Sequence, residues 1–339
     1  MDNHHVLFSV VDRSYTAVIK KEIHALAGKC AFKANEMAEI DIVVAELISN
    51  LLKYAVNGRL LVKTCIDAKE AGLEIIAIDD GPGIPDLSLA QVDGITTHKK
   101  SLGMGLGAIK RLTSVFQVFS KVGWGTIILV RKYVGSSNEV ARKLKMTLGA
   151  VIVPKPGEQV CGDGLYTRLD HQGARIFMAD GLGHGKEAAL AAIQAITAFA
   201  DNRDDNAINI LRTLHQTSSV RKTRGLVGTV LLINLRSGII KINGIGNISS
   251  RLIFRGVIRN FLSYNGIIGL NIPSSMNEQS FDVEKGQLLI MCSDGIRTRW
   301  DLSKLPGIAK HDPNIIAAAI YKDFCRNTDD ASVLVVKIM

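Results

Sequence analysis

Aromatic residues make up only 5% of this 339-residue chain, and no dense basic run is interleaved with them. Single-strand binding by base stacking is therefore poorly supported, and no direct nucleic-acid partner is expected. Long hydrophobic runs are missing too: none approaches the roughly 20 residues that a membrane span needs. The N-terminus, MDNHHVLFSV, lacks a basic-then-apolar signal pattern. No membrane partner is expected, and the expectation for location is cytoplasmic. The five cysteines (Cys30, Cys65, Cys161, Cys292, Cys325) are scattered, odd in number and without metal-type spacing. They read as reduced, mostly buried small residues rather than a disulfide framework. No internal repeat is found.

What is present fits a globular chain, with 47% hydrophobic and 22% charged residues. Its length allows two domains, each with its own core. A net charge of +9 suits an anionic partner (nucleic acid, an acidic protein or a phosphorylated ligand), but scattered lysines equally make a solubilising surface. The first half reads as a strand, helical patterns over 15–30 and 36–56, and the β-rich runs RLLVKTCID and GLEIIAIDD. A Gly-punctuated loop, the helix LGAIKRLTSVF and two strands joined by a hairpin at GWG follow. Residues 135–144 are small and polar, which marks a linker between domains at 1–134 and 145–339. The second half is strand-dominated around one Ala-rich helix after GHGKEAALAAIQAITAFA. Many strands with few helices in each half give two α+β layered domains.

The stretch VVAELISNLLKYA carries an apolar helical stripe, yet Glu46, Asn50 and Lys53 fall at i, i+4 and i+7 on one edge of it. In an isolated helix this would be a solvated flank. Downstream, the strand LEIIAIDD runs into DDGPGIPD, delivering Asp79 to a sheet edge before a backbone bent at Gly81 and Gly83. Asp-Gly and Pro-Gly are more often plain turns. Further on, Gly103, Gly105 and Gly107 precede a helix, where unpaired N–H groups and the helix dipole suit polyphosphate. No strand immediately precedes them, so this is not the dinucleotide fingerprint.

The order of these motifs, with GT opening a later strand, resembles the GHKL ATP-binding family of gyrase, histidine-kinase and anti-sigma-factor kinase domains. AELISNLLKYA, DDGPGIPD, VDGITTHKKSLGMGLGAIKRL and GWGTIILV are most similar to the serine kinases of bacterial partner-switching and stressosome pathways, over roughly residues 8–133. The resemblance implies a GHKL (Bergerat) α/β sandwich that binds ATP and Mg²⁺. Asn50 would ligate Mg²⁺, Asp79 supported by Thr126 would take the adenine amino group, and Gly81 and Gly83 would let the nucleotide approach. Gly103, Gly105 and Gly107 would form the lid and phosphate cradle, Glu46 would be the general base, and Lys53 would touch a phosphate or the edge of the metal site. A histidine kinase would need an acceptor histidine on a dimerisation helix. Too little chain surrounds His24 for one, and a serine or threonine acceptor fits better.

The C-terminal half places Asp-Gly at strand ends twice, Asp180-Gly181 in RIFMADGLGHG and Asp294-Gly295 in LLIMCSDGIRT. Asp329 and Asp330 precede the last strand, and Asp163 stands upstream in VCGDGLY. Each alone reads as a turn. If the strands are neighbours, several carboxylates converge, an arrangement that divalent cations relieve. GDG, ADGLGHG, CSDG and DDASVLVV resemble, in order, the SpoIIE-type branch of the metal-dependent serine/threonine phosphatase (PPM) family, over roughly 145–339. That implies a PPM-type β-sandwich flanked by helices and two Mn²⁺ or Mg²⁺ ions. Asp180 would bridge them, with the Gly181 carbonyl on one, Asp294 and Asp329 on the other, and Asp163 holding waters or ligating directly. His184 would at most donate a hydrogen bond nearby, and Asp330 would be a helper or solvated.

The expectation is one polypeptide with opposed activities: a kinase-like domain phosphorylating a serine or threonine of a STAS-type antagonist, and a phosphatase domain removing such a phosphate. The pathway would involve a sigma factor or a stressosome. The alternative makes the first domain a non-catalytic, nucleotide-gated regulatory or sequestering module. Nothing local decides the oligomeric state, a homodimer included.

Overall fold

The computed structural model describes residues 4–66, 71–87, 105–135, 145–220 and 224–339. Gly103 and residues 136–144 of the expected linker lie outside them. The chain packs as two compact units, one of His5–Val140 with Ser303–Ala319, the other of Met1–His4, Ala141–Leu302 and Ile320–Met339. Among the described residues no helix is long and apolar enough to cross a membrane.

In the first unit, helices α1 (Thr16–Gly28), α2 (Ala34–Tyr54) and α3 (Gly105–Leu112) accompany a five-stranded sheet in the order β1-β2-β3-β5-β4. Its strands are β1 (Val6–Ser9), β2 (Arg59–Ile66), β3 (Ala71–Asp79), β4 (Val115–Lys121) and β5 (Gly125–Tyr133), all paired antiparallel. α2 forms because Ile40, Val43, Val44, Leu47, Ile48 and Leu51 line one buried stripe. Its first turn is held by the Lys33 amide donating to Glu36 Oε2 at 2.8 Å. The stripe packs with Leu73, Ile75 and Ala77, alternate residues of β3.

The intervening residues Glu74, Ile76 and Ile78 are also buried, so β3 is covered on both faces. On the second face Glu74 meets Lys63, His5 and Arg131, and the Asn314 amide donates to it. Arg131 in turn pairs with Asp312 at 3.0 Å. Burial alone would raise the Glu74 carboxyl, but Lys63, His5 and Arg131 hold it well below the usual carboxylate range. One expected helix is shorter than its pattern. α3 ends at Leu112, and Val115 and Phe116 instead open β4, as β-branched and aromatic residues suit a strand. The Ser114 amide donates to the Arg131 carbonyl and starts that pairing.

In the second unit two five-stranded sheets run β13-β10-β9-β8-β7 and β12-β11-β14-β15-β6. The first contains β7 (Asp163–Asp170), β8 (Gly173–Gly181), β9 (Leu226–Asn234), β10 (Ile239–Ile245) and β13 (Gln279–Asp282). The second contains β6 (Met146–Val153), β11 (Ser249–Phe254), β12 (Val257–Phe261), β14 (Leu288–Cys292) and β15 (Ala331–Ile338). Residues of both sheets, among them Ile176, Met178, Leu231, Leu289, Met291 and Leu334, share one core. The alternate residues of β8, Phe177 and Ala179, face a second core with α4 (Lys186–Asp201) and α5 (Ala207–Val220). This is a β-sandwich with helices on its flank, as the α+β reading expected. α5 and the last helix, α6 (Pro313–Phe324), were not singled out from the sequence. None of the five cysteines forms a disulfide among the described residues.

Candidate functional sites

The polar edge of α2 has the start of the described part of α3 beside it. Glu46 and Asn50, one helical turn apart, lie where α3 begins. A Cβ built on Gly105 would stand 2.9 Å from Glu46 Oε2 and 3.6 Å from Asn50 Oδ1. The first described turn of α3 therefore lies against a carboxylate and a carboxamide oxygen. Lys53 is exposed near the end of α2, and Gly107 is buried within α3.

Asp79 ends β3, and Thr126 sits directly opposite it on β5. Thr126 is buried, with its hydroxyl 2.9 Å from Ser120 Oγ. The Gly81 amide donates to Asp79 Oδ1 at 2.7 Å, turning the chain sharply after the strand. Gly83 approaches the carbonyl of Lys121, and Gly125 that of Asp79, so closely that a Cβ on either would lie about 2 Å from it. Glu46, Asn50, Asp79, Thr126 and the glycines thus occupy neighbouring ends of α2, α3, β3 and β5. The donor set fits a nucleotide with a hard cation: an Asn oxygen, helix-start amides and side-chain-free backbone.

In the second unit β7 and β8 pair so that Asp163 faces Asp180 across the hairpin. Burial pushes the Asp180 carboxyl up to about 9, reinforced by Asp163, Asp294, Asp329 and Asp330. Burial also raises Asp163 to about 7, against the hydrogen bond that Ser293 donates. Asp294 is raised by burial and by Asp329, an effect opposed by Asn247 and Arg326. The four acids singled out from the sequence are therefore brought into one electrostatic neighbourhood.

Among the described residues no group of three or more His, Cys, Asp or Glu side chains stands in metal-ligating geometry. Three of the acids also accept hydrogen bonds: Asp163 Oδ2 from Ser293 Oγ at 2.7 Å, Asp294 Oδ2 from Asn247 Nδ2 at 2.9 Å, and Asp329 Oδ1 from the Asp330 amide at 2.9 Å. An all-oxygen set under mutual repulsion fits a pair of hard divalent cations.

Of the two expectations for Asp330, a helper or a solvated residue, the second does not hold. Asp330 is buried, and its two oxygens accept from the amides of Lys155 at 2.8 Å and Gly162 at 2.9 Å, clamping the segment that leads to Asp163. His184 pairs with Glu158 at 2.7 Å, and Gly181 lies against the Ala188 carbonyl at the start of α4. Asn247, Ser293, Ser332 and Glu158 were missed by sequence reasoning. Short polar residues in turns carry no periodic signal, and only their three-dimensional partners distinguish them.

The chain thus combines an antiparallel sheet backed by helices, with Asn50 and Glu46 beside α3, and a β-sandwich with strand-end aspartates. The model of the family Stage II sporulation protein E (SpoIIE) matches residues 170–339, half of the chain, and the chain belongs to that family. The histidine kinase-like ATPase domain model matches residues 11–132. The chain is 37% identical over 108 residues to the serine/threonine-protein kinase RsbT of Bacillus subtilis, covering 32% of this chain and 80% of that one. It is 27% identical over 219 residues to the stage II sporulation protein E of the same organism, covering 58% of this chain but only 26% of that relative's length. A solved structure of the PP2C phosphatase domain and a fragment of the regulatory domain of SpoIIE shares the fold at a TM-score of 0.50 and 18% identity, covering 96% of this chain and 95% of that one. The protein is a partner-switching regulator with a kinase-like N-terminus and a PP2C-type phosphatase domain.

Proposed function

We propose that the chain runs both directions of a phosphorylation switch in the cytoplasm. The first unit transfers phosphate from Mg-ATP to a serine or threonine of a STAS-type antagonist, and the second hydrolyses such a phosphoester with two Mn²⁺ or Mg²⁺ ions. The observation that carries the kinase half is the contact of the Gly105 position with both Glu46 and Asn50. Binding ATP requires Asn50, Asp79 and the glycines. A carboxylate held at the phosphate end adds a group able to take the proton from an attacking hydroxyl. The 37% identity to a serine/threonine kinase over the same segment supports this reading.

In the phosphatase half Asp180, Asp294, Asp329 and the Gly181 carbonyl would hold the ions, with Asp163 adjacent. Bound divalent ions supply Lewis-acid activation and charge neutralisation at the phosphoryl group. The chain's own part is to keep Asp163 and Asp180 opposed on one hairpin, and to fix the approach to Asp163 through Asp330.

The test uses Asp294→Asn, in which phosphate removal is blocked, incubated with Mg-ATP and STAS proteins encoded near it. Intact-protein mass spectrometry reads the partner. One added phosphate, absent with Glu46→Ala and lost on adding wild-type chain with Mn²⁺, is the expected result. A variant that binds ATP and the partner but transfers nothing would make the first unit a nucleotide-gated binding module.

A further inference from the structure

Asp294 is held from an element far away in sequence. Asn247 follows β10, and its Nδ2 donates to Asp294 Oδ2 at 2.9 Å. The backbone on either side is pinned. Gly246 has φ +100°, a conformation that L side chains rarely adopt, and a Cβ there would lie 2.2 Å from Val227 Cβ. The Gly246 amide donates to the Tyr264 carbonyl at 2.8 Å. Ile248, next along, is only 2% exposed. Asn247 itself is solvent-exposed, so packing does not account for its placement.

We propose that Asn247 is a positioning residue of the phosphatase site, holding one oxygen of Asp294 so that the other is presented to a divalent cation. The proposal rests on the reading of Asp294 as a metal ligand. The amide suits this task in a way its alternatives do not. An aspartate at 247 would add a further negative charge to a crowd of carboxylates. A lysine would neutralise Asp294 and compete with the cation for it. An amide offers a donor without charge, so it keeps the carboxylate oriented whether or not an ion is bound. Such outer partners of metal ligands typically change metal affinity by about 10–100-fold when removed.

The experiment is Mn²⁺ binding to the nucleotide-free full chain by titration calorimetry, comparing wild type, Asn247→Leu, Asn247→Ala and Asn247→Gln. Melting of each in EDTA reports the fold. The Leu and Ala variants are expected to bind Mn²⁺ about 10–100-fold more weakly with an unchanged melting temperature, and Gln, which keeps a donor, to bind more tightly than Leu. Wild-type affinity in both Leu and Ala variants would overturn the positioning role. Asp294→Asn, run in parallel, separates the two ideas: wild-type Mn²⁺ binding in that variant would overturn the metal-site reading itself.

Discussion

Asp163 and Asp180 are ordinary acids in sequence and unusual ones in the fold. With the folded-state carboxyls raised to about 7 and about 9, the metal-free second unit carries protons that an unfolded chain releases far lower. For groups raised in the folded state, the associated stability is present at low pH and lost as pH rises through those values. The melting temperature in EDTA should therefore fall between about pH 4 and pH 9, and saturating Mn²⁺ should abolish most of that fall. Mn²⁺ binding should also release protons, measured by calorimetry in buffers of different ionisation enthalpy. A pH-independent melting curve in EDTA would contradict this. At this scale Asp180 and Asp294 were legible because an apolar strand ending on Asp-Gly is a pattern. Asn247 and Ser293 were not, since a hydrogen bond spanning 47 or 130 residues leaves no trace in local spacing. Asp330 was noticed beside Asp329, but its clamp on two backbone amides was not readable.

Among elements, the β4–β5 hairpin shapes the candidate nucleotide site through its backbone as well as through Thr126. Gly125 has φ +120°, and a Cβ there would meet the Asp79 carbonyl at 2.1 Å. Gly123 has φ +75° with nothing within 4 Å. Both alanine variants carry the strain of a left-handed residue, about 1–3 kcal/mol, but only Gly125→Ala displaces Asp79. ATP binding by Gly125→Ala should weaken tenfold or more while Gly123→Ala binds near wild type, as read by calorimetry with Mg²⁺. Equal affinities would show that the turn does not set Asp79. α2 was legible from its 3.6-residue period, and β3 from its apolar run. The boundary between α3 and β4 was not, because LTSVF satisfies both patterns until the Ser114–Arg131 pairing decides it.

At the scale of the whole molecule, the first unit is not one continuous stretch of chain. Ser303–Ala319 belongs to it, bringing Asp312 to Arg131 and Asn314 to Glu74 across 240 residues of sequence. No motif or composition shift announces this, so a boundary drawn from sequence places the segment elsewhere. Removing one partner of a buried charge network leaves the others uncompensated. A fragment of residues 5–140 should consequently melt several degrees below the same unit in the intact chain, and Asn314→Leu should reproduce part of that loss, about 1–3 kcal/mol for the bond to Glu74. Because Glu74 is depressed, its contribution is present at neutral pH and lost as pH falls through its folded value, so acid should narrow the difference between fragment and chain. Scanning calorimetry checks both, and a fragment as stable as the chain would refute the account. The segment's late position also has a genetic meaning. A ribosome must pass codon 319 before the first unit can be completed, so a premature stop codon upstream should yield that unit only in its incomplete, less stable form. The two units are in any case inherited and expressed at a fixed one-to-one dosage, which separate genes could not guarantee.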